Sequence, residues 1–187
     1  MMKEKKSLIL VYTGDGKGKT SAAIGTLVRA LGADKRVAFI QFIKTWEVSE
    51  HKFFADILQV TNLQDRLTFY VGGKGFFHAG KASAKNVSDA EHRAAARATL
   101  DFARQCATSG NYDLVILDEI SNAVADGLLT TNDLEKLITE RDQKTSLCLT
   151  GRNFPLELAK FADIITEMKE IKHHFKDGFP AQKGIDY

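Results

Sequence analysis

Short apolar blocks alternate along the chain with longer segments in which apolar residues recur every third or fourth position. "SLILVY" (7–12) is a continuous apolar run, the pattern of a strand covered on both faces. After a glycine-rich turn, "TSAAIGTLVRALG" (20–32) carries the helical period, and Gly32 is placed to close that helix. "RVAFIQFIK" (36–44) predicts a second strand, "HKFFADILQ" (51–59) a short helix and "RLTFYV" (66–71) a third strand. Ser88, with Glu91 three residues on, forms a capping-box signature that opens an alanine-rich helix running to Gly110. "YDLVILDEI" (112–120) reads as a strand ending in two acids, "NDLEKLITER" (132–141) as a helix and "TSLCLTG" (145–151) as a strand. "PLELAKFA" (155–162) reads as a helix with Pro155 near its first turn, and "DIITEM" (163–168) as the last strand. The stretch 72–86 has glycines, lysines and adjacent aromatics but no period, so it reads as a long loop, and long loops in compact domains tend to be functional or disordered. The polar chain from 169 onward reads as irregular surface. This alternation predicts an α/β fold with a mostly parallel central sheet flanked by helices.

Composition narrows the class. With 187 residues and 44% hydrophobic content, the chain fits one globular domain spanning 1–187. Lys and Arg number 26 against 24 acids, a net charge of +2, which gives no electrostatic footprint for nucleic acid. No apolar stretch is long enough for a membrane span, and the N-terminus runs straight into a strand rather than a signal segment, so a cytoplasmic protein without a membrane partner is expected. Cys106 and Cys148 lie far apart without a metal-binding or redox spacing and are expected to be reduced and buried.

The turn "TGDGKGKT" (13–20) nearly fits the phosphate-binding pattern G-x-x-x-x-G-K-[ST], with Thr13 where the first glycine is expected. Gly14, Gly16 and Gly18 let backbone N–H groups curl round an anion, and Lys19 supplies a point charge. The following helix points its positive end inward, and Thr20 offers a hydroxyl to magnesium. Thr13, Gly14, Asp15, Gly16, Lys17, Gly18, Lys19, Thr20 and Ser21 are therefore the expected nucleotide contacts. Asp118 and Glu119 end an apolar strand, the position from which a carboxylate reaches magnesium on bound phosphates. No glutamine or base is placed by sequence to activate water, and no kinase catalytic loop is found. The cradle thus suits a triphosphate held for a reaction that removes no proton. On these residues alone two other readings stay open: a P-loop phosphotransferase or NTPase that cleaves the γ-phosphate, and a nucleotide-sensing binding module.

Beyond the loop, "QFIK" (41–44), "YDLVILDEI", "LTGRNFPLELAKFADIITEM" (149–168), "IKHHFKDGF" and "AQKGID" in the tail complete a wider pattern. Together, in order and over nearly the whole chain, these runs resemble the ATP:corrinoid adenosyltransferases of the bacterial cobalamin pathway. The resemblance implies a RecA-like P-loop fold, a homodimer, and transfer of the 5'-deoxyadenosyl group from MgATP to Co(I) of a reduced corrinoid, with inorganic triphosphate released. It implies magnesium or manganese held by Thr20, Glu119 and Asp118, and a catalytic Arg152 on the ATP phosphates beside Lys19. It further implies cob(I)alamin or cobinamide as substrate, an electron-donating flavoprotein reductase as partner, and corrinoid contacts at Phe76, Phe77, His78 and Lys44.

Co(I) is itself a strong nucleophile, so this chemistry needs no general base. The C5'–O bond breaks, the whole triphosphate leaves, and Lys19, the loop amides and magnesium meet its growing charge. The ribose is expected to face the 72–86 loop. Phe76, supported by Phe77, is expected to wall off a lower axial ligand, with His78 turned away from the cobalt. The chain departs from the family pattern at three places: His78 stands where the family has Trp, Asp142 follows Arg141 where the family often has Pro, and only about ten residues precede the loop, so that an N-terminal cover is expected to be absent. Trp46 reads as packing, and His173 and His174 as hydrogen-bonding residues of the tail.

Overall fold

The computed structural model describes residues 7–43, 48–60, 62–75 and 87–186. Among them six strands form one all-parallel sheet: Ile9–Thr13 (β1), Val37–Gln41 (β2), Leu67–Val71 (β3), Leu114–Asp118 (β4), Ser146–Thr150 (β5) and Ile164–Glu167 (β6). Their order is β3-β2-β4-β5-β1-β6. The helices are Lys19–Gly32 (α1), Ser49–Val60 (α2), Asp89–Thr108 (α3), Ile120–Ala125 (α4) and Thr131–Glu140 (α5). This is the α/β fold with a parallel sheet that the alternating pattern predicts.

Every residue of β2 and β4 is buried, as continuous apolar runs require. Alternate side chains serve opposite faces. Val37, Phe39, Leu114, Ile116 and Cys148 pack with Ala23 and Leu27 of α1 and Phe54 of α2. Ala38, Ile40, Val115, Leu117, Leu147 and Leu149 pack with Leu100 of α3, Ile120 of α4 and Leu134 of α5. At about 1.5–3 kcal/mol for each large apolar side chain buried, these two faces dominate the stabilisation and hold the strand ends at a fixed level.

The capping box of α3 forms as the sequence indicates: Ser88 Oγ accepts from Glu91 N at 3.3 Å, and the Glu91 carboxylate accepts from Ser88 N at 2.8 Å. A second box, Thr130 with Asp133, opens α5. Arg97 of α3 donates two bonds to the Asp133 carboxylate, at 2.6 and 3.0 Å, which clamps the two helices and holds that carboxyl far below the usual range.

Four local expectations change. Helix α1 ends with Ala33 rather than Gly32 as its C-cap, because Asp34 takes the left-handed conformation, φ 57°, that Gly32 was expected to supply. The segment Leu156–Phe161 forms a 3-10 helix instead of an α-helix, with Leu158 as its buried residue. Six residues with a single buried anchor give little reason for a longer helix. Helix α4 was not foreseen, since "ILDEI" reads as one strand; a left-handed Glu119, φ 64°, ends β4 and starts the helix. The tail contains a 3-10 turn at His174–Asp177.

Candidate nucleotide site

Parallel register brings the carboxyl ends of the strands together. Gln41 of β2 lies beside Asp118 of β4, and Tyr12 of β1 beside Thr150 of β5. The glycine-rich loop leaves β1 at this edge and lies on the chain leaving β6. Gly16 N donates to Met168 O at 2.7 Å, and Met168 N donates to Thr13 O at 2.8 Å. This close approach explains two glycines of the loop: a Cβ at Gly14 would sit 2.5 Å from Met168 O, and one at Gly16 would sit 2.7 Å from it. Gly18, left-handed, then serves as the N-cap of α1.

Lys19 folds back onto the loop, donating to Gly14 O at 2.6 Å and Gly16 O at 2.7 Å. Burial lowers its pKa, with the nearby Arg152 charge pushing the same way, while Asp15, Glu119 and Asp118 oppose the shift. Thr20 Oγ1 reaches both oxygens of Asp118, at 3.1 and 3.2 Å. The Asp118 carboxylate is fully buried and also accepts from Thr150 Oγ1 at 2.7 Å and Gln41 Nε2 at 3.0 Å. A buried carboxylate costs several kcal/mol. Three donors, each contributing about 1.5–3 kcal/mol to a charged acceptor, offset that cost. Thr150 Oγ1 also accepts from Glu119 N at 2.9 Å, which ties the two acids into one turn.

The outer side of the loop is a different environment. Arg152, on an exposed turn, places Nε 3.9 Å from Asp15. Lys17 Nζ lies 2.6 Å from Asp186, in the tail. A cleft of about 430 Å³ is lined by Asp15, Arg152, Glu167, Lys169, Glu170 and Lys176, so the tail forms one wall of the space beside the loop. His173 and His174 stack at 4.8 Å and make hydrogen bonds within the tail, as expected. Both cysteines are buried and free; burial, then the Asp118 charge, pushes the Cys148 thiol up to about 12. Lys44, Trp46, Phe76, Phe77 and His78 lie outside the described residues.

Among the described residues no three His, Cys, Asp or Glu side chains gather as a metal cage, and no helix is long and apolar enough to cross a membrane. A magnesium ion bound largely through phosphates needs only one or two protein oxygens. Thr20 and Glu119 supply hard oxygen donors of the right kind, so the donor set fits that ion. The structure adds Gln41, His51 and Thr150 to this neighbourhood, none of which sequence reasoning had given a role. The available signal was a polar residue at the carboxyl end of each buried strand: Gln41, Asp118 and Thr150.

A strand, a glycine-rich turn and a helix opening with Lys19 and Thr20, set against a buried carboxylate at the end of β4, define a P-loop nucleotide-binding protein. The chain belongs to the family described as ATP:corrinoid adenosyltransferase BtuR/CobO/CobP, which matches residues 5–187. It is 33% identical to the corrinoid adenosyltransferase of Escherichia coli strain K12, over 98% of this chain and 87% of that protein. It is 31% identical to the corrinoid adenosyltransferase of Pseudomonas aeruginosa, over 99% and 86%. Identity to the corrinoid adenosyltransferase CobA of Salmonella typhimurium is 32%, over 98% and 87%.

Proposed function

We propose that the protein transfers the 5'-deoxyadenosyl group of ATP to Co(I) of a reduced corrinoid, releasing inorganic triphosphate, in the synthesis or salvage of adenosylcobalamin. The observation that carries this reading is the family match over 5–187 falling on a loop whose Lys19 is tied to its own carbonyls and whose Thr20 is tied to Asp118 at the end of β4. In the reaction the cobalt electron pair forms the bond to C5', and the C5'–O bond breaks toward the triphosphate. The protein orients the two reactants and meets the charge that grows on the leaving group.

An ammonium has three N–H donors, and Lys19 uses two on Gly14 O and Gly16 O, so one is left for a phosphate oxygen. In this reading the loop amides and the start of α1, which opens after Gly18, meet the same anion. Arg152 closes on the triphosphate from the exposed side. Thr20 and Glu119 hold magnesium or manganese, and Asp118 acts through the Thr20 hydroxyl. The ion neutralises phosphate charge when bound. Phe76, Phe77, His78 and Lys44, which lie outside the described residues, are the corrinoid contacts of this reading. The reading includes a single domain over 1–187, a cytoplasmic homodimer and an electron-donating flavoprotein reductase.

Incubation with MgATP and chemically reduced cob(I)alamin or cobinamide tests it. A light-sensitive cobalt–carbon product with one triphosphate per corrinoid is expected. ADP and phosphate as the main products would instead establish a phosphotransferase or NTPase, and nucleotide binding without turnover a sensing module.

A further inference from the structure

A chain of hydrogen bonds runs away from the loop on the far side of Asp118. Gln41 is fully buried, and its Nε2 donates to Asp118 Oδ2 at 3.0 Å. The other end of the same amide, Oε1, lies 2.5 Å from Nε2 of His51, in the first turn of α2. The ring of His51 is itself set edge-on to Phe69, at 5.6 Å between centroids. Beyond Asp118 the chain continues to Thr20 Oγ1.

Each link fixes the next. A primary amide can present either end, and only its neighbours decide which. Reversed, Gln41 would set its carbonyl oxygen against the Asp118 carboxylate, two acceptors without a hydrogen between them. In the observed orientation the carbonyl faces His51, which must then carry its proton on Nε2. The Asp118 carboxylate, so oriented, takes the hydroxyl hydrogen of Thr20. A hydroxyl has one hydrogen and two lone pairs, so the lone pairs of Thr20 are turned outward, toward the loop.

We propose that Gln41 and His51 are positioning residues for the nucleotide's metal ion: the relay from His51 through Gln41 and Asp118 to Thr20 sets the direction of the oxygen that Thr20 offers to magnesium. The inference rests on the reading of Thr20 as a magnesium ligand. Both act through Asp118 and Thr20. Their effect is on the metal-dependent part of ATP binding, the kind of role that outer partners of a metal ligand play.

Calorimetric titration of the full chain with ATP, in excess Mg²⁺ and in EDTA, tests this. His51→Leu is expected to weaken MgATP binding about tenfold while leaving metal-free ATP within about twofold of wild type. His51→Gln, whose amide can still donate to Gln41, is expected to recover to within about threefold. Equal weakening of both binding modes, or no change in either, in a folded His51→Leu variant would overturn the relay. Thr20→Val in the same titrations separates the two layers. If it leaves the Mg²⁺ dependence intact, the magnesium reading falls and the relay with it; if it removes that dependence while His51→Leu does not touch it, the relay alone falls. Nitrogen-15 NMR of wild-type protein gives a test that needs no variant: the Nε2–H tautomer of His51 is expected, and a bare Nε2 facing Gln41 would refute the proposal.

Discussion

Lys17 and Lys19 stand two residues apart in one loop and live in opposite surroundings. Lys19 turns inward, donates to two loop carbonyls and has its pKa lowered first by burial. Lys17 turns outward, half exposed, to an ion pair with Asp186 in the tail. The contrast extends to their neighbours. Thr20 joins a buried carboxylate with three donors, whereas the tail residues pair with one another across solvent, as Lys172 does with Asp177 and Lys176 with Glu170. Charge held where water is excluded acts strongly on a bound anion, while an exposed pair is screened and loses side-chain entropy on forming. The inner half of the loop should therefore carry the chemistry and the outer half its packing.

The largest effects belong to the inner half. Lys19→Ala and Glu119→Ala are each expected to lower turnover at least about a hundredfold, the scale for removing a preorganised charge stabiliser, in steady-state assays with Co(I) supplied ready-made. A folded Lys17→Ala variant with an equal loss would erase the distinction between the two lysines.

An intermediate effect is expected where the halves meet. Gly14→Ala puts a Cβ 2.5 Å from Met168 O at a φ of +99°, so the loop and the chain after β6 must part. Backbone strain of this kind costs about 1–3 kcal/mol before the clash is counted, and a lowered Tm with weakened ATP binding is expected. Thr150→Val removes one donor to buried Asp118 and the acceptor for Glu119 N. A loss of about 1–3 kcal/mol in urea denaturation is expected, since buried polar groups are left without their partner. Unchanged unfolding in both variants would show that the inner cluster is less tightly built than its distances indicate.

The inner half was also the more legible in sequence. Lys19, Thr20, Asp118 and Glu119 stand out because phosphate chemistry demands those residue types at a strand-to-helix turn and at a strand end, and the apolar runs that place them were read directly. Gln41 and Thr150 were invisible as partners of Asp118 because parallel register between strands distant in the chain brings them to one edge, and His51 because it meets Gln41 only when α2 packs back on β2, neither of which a local pattern encodes. Helix α4 was hidden by a left-handed Glu119 inside an apolar run. The tail's fold onto the loop rests on an ion pair between Lys17 and Asp186, at opposite ends of the chain, and charge spacing carries no signal across that separation.

The smallest effect sharpens the comparison from the outside. Asp186 is held down to about 2, first by its bond with Lys17 and then by the Gln182 N–H, against an ordinary value of 3.8. A depressed carboxyl favours the folded tail at pH values above the unfolded pKa, and that contribution is lost as pH falls through the folded value. The pair is therefore fully present at neutral pH and disappears between about pH 4 and pH 2. Asp186→Asn removes the charge, and turnover at pH 7 is expected to stay within about threefold of wild type, because the pair lies on the outer side of the loop with Lys17 half exposed. The tail should nonetheless loosen. Phe175 and Phe179 are exposed in it and give pepsin places to cut. At about pH 5 the variant should be cleaved there faster than wild type, and the difference should vanish toward about pH 2, where wild-type Asp186 is itself becoming protonated. A difference that grows toward acid would mean that another group holds the tail, and a hundredfold loss of turnover would move Lys17 and Asp186 into the inner half.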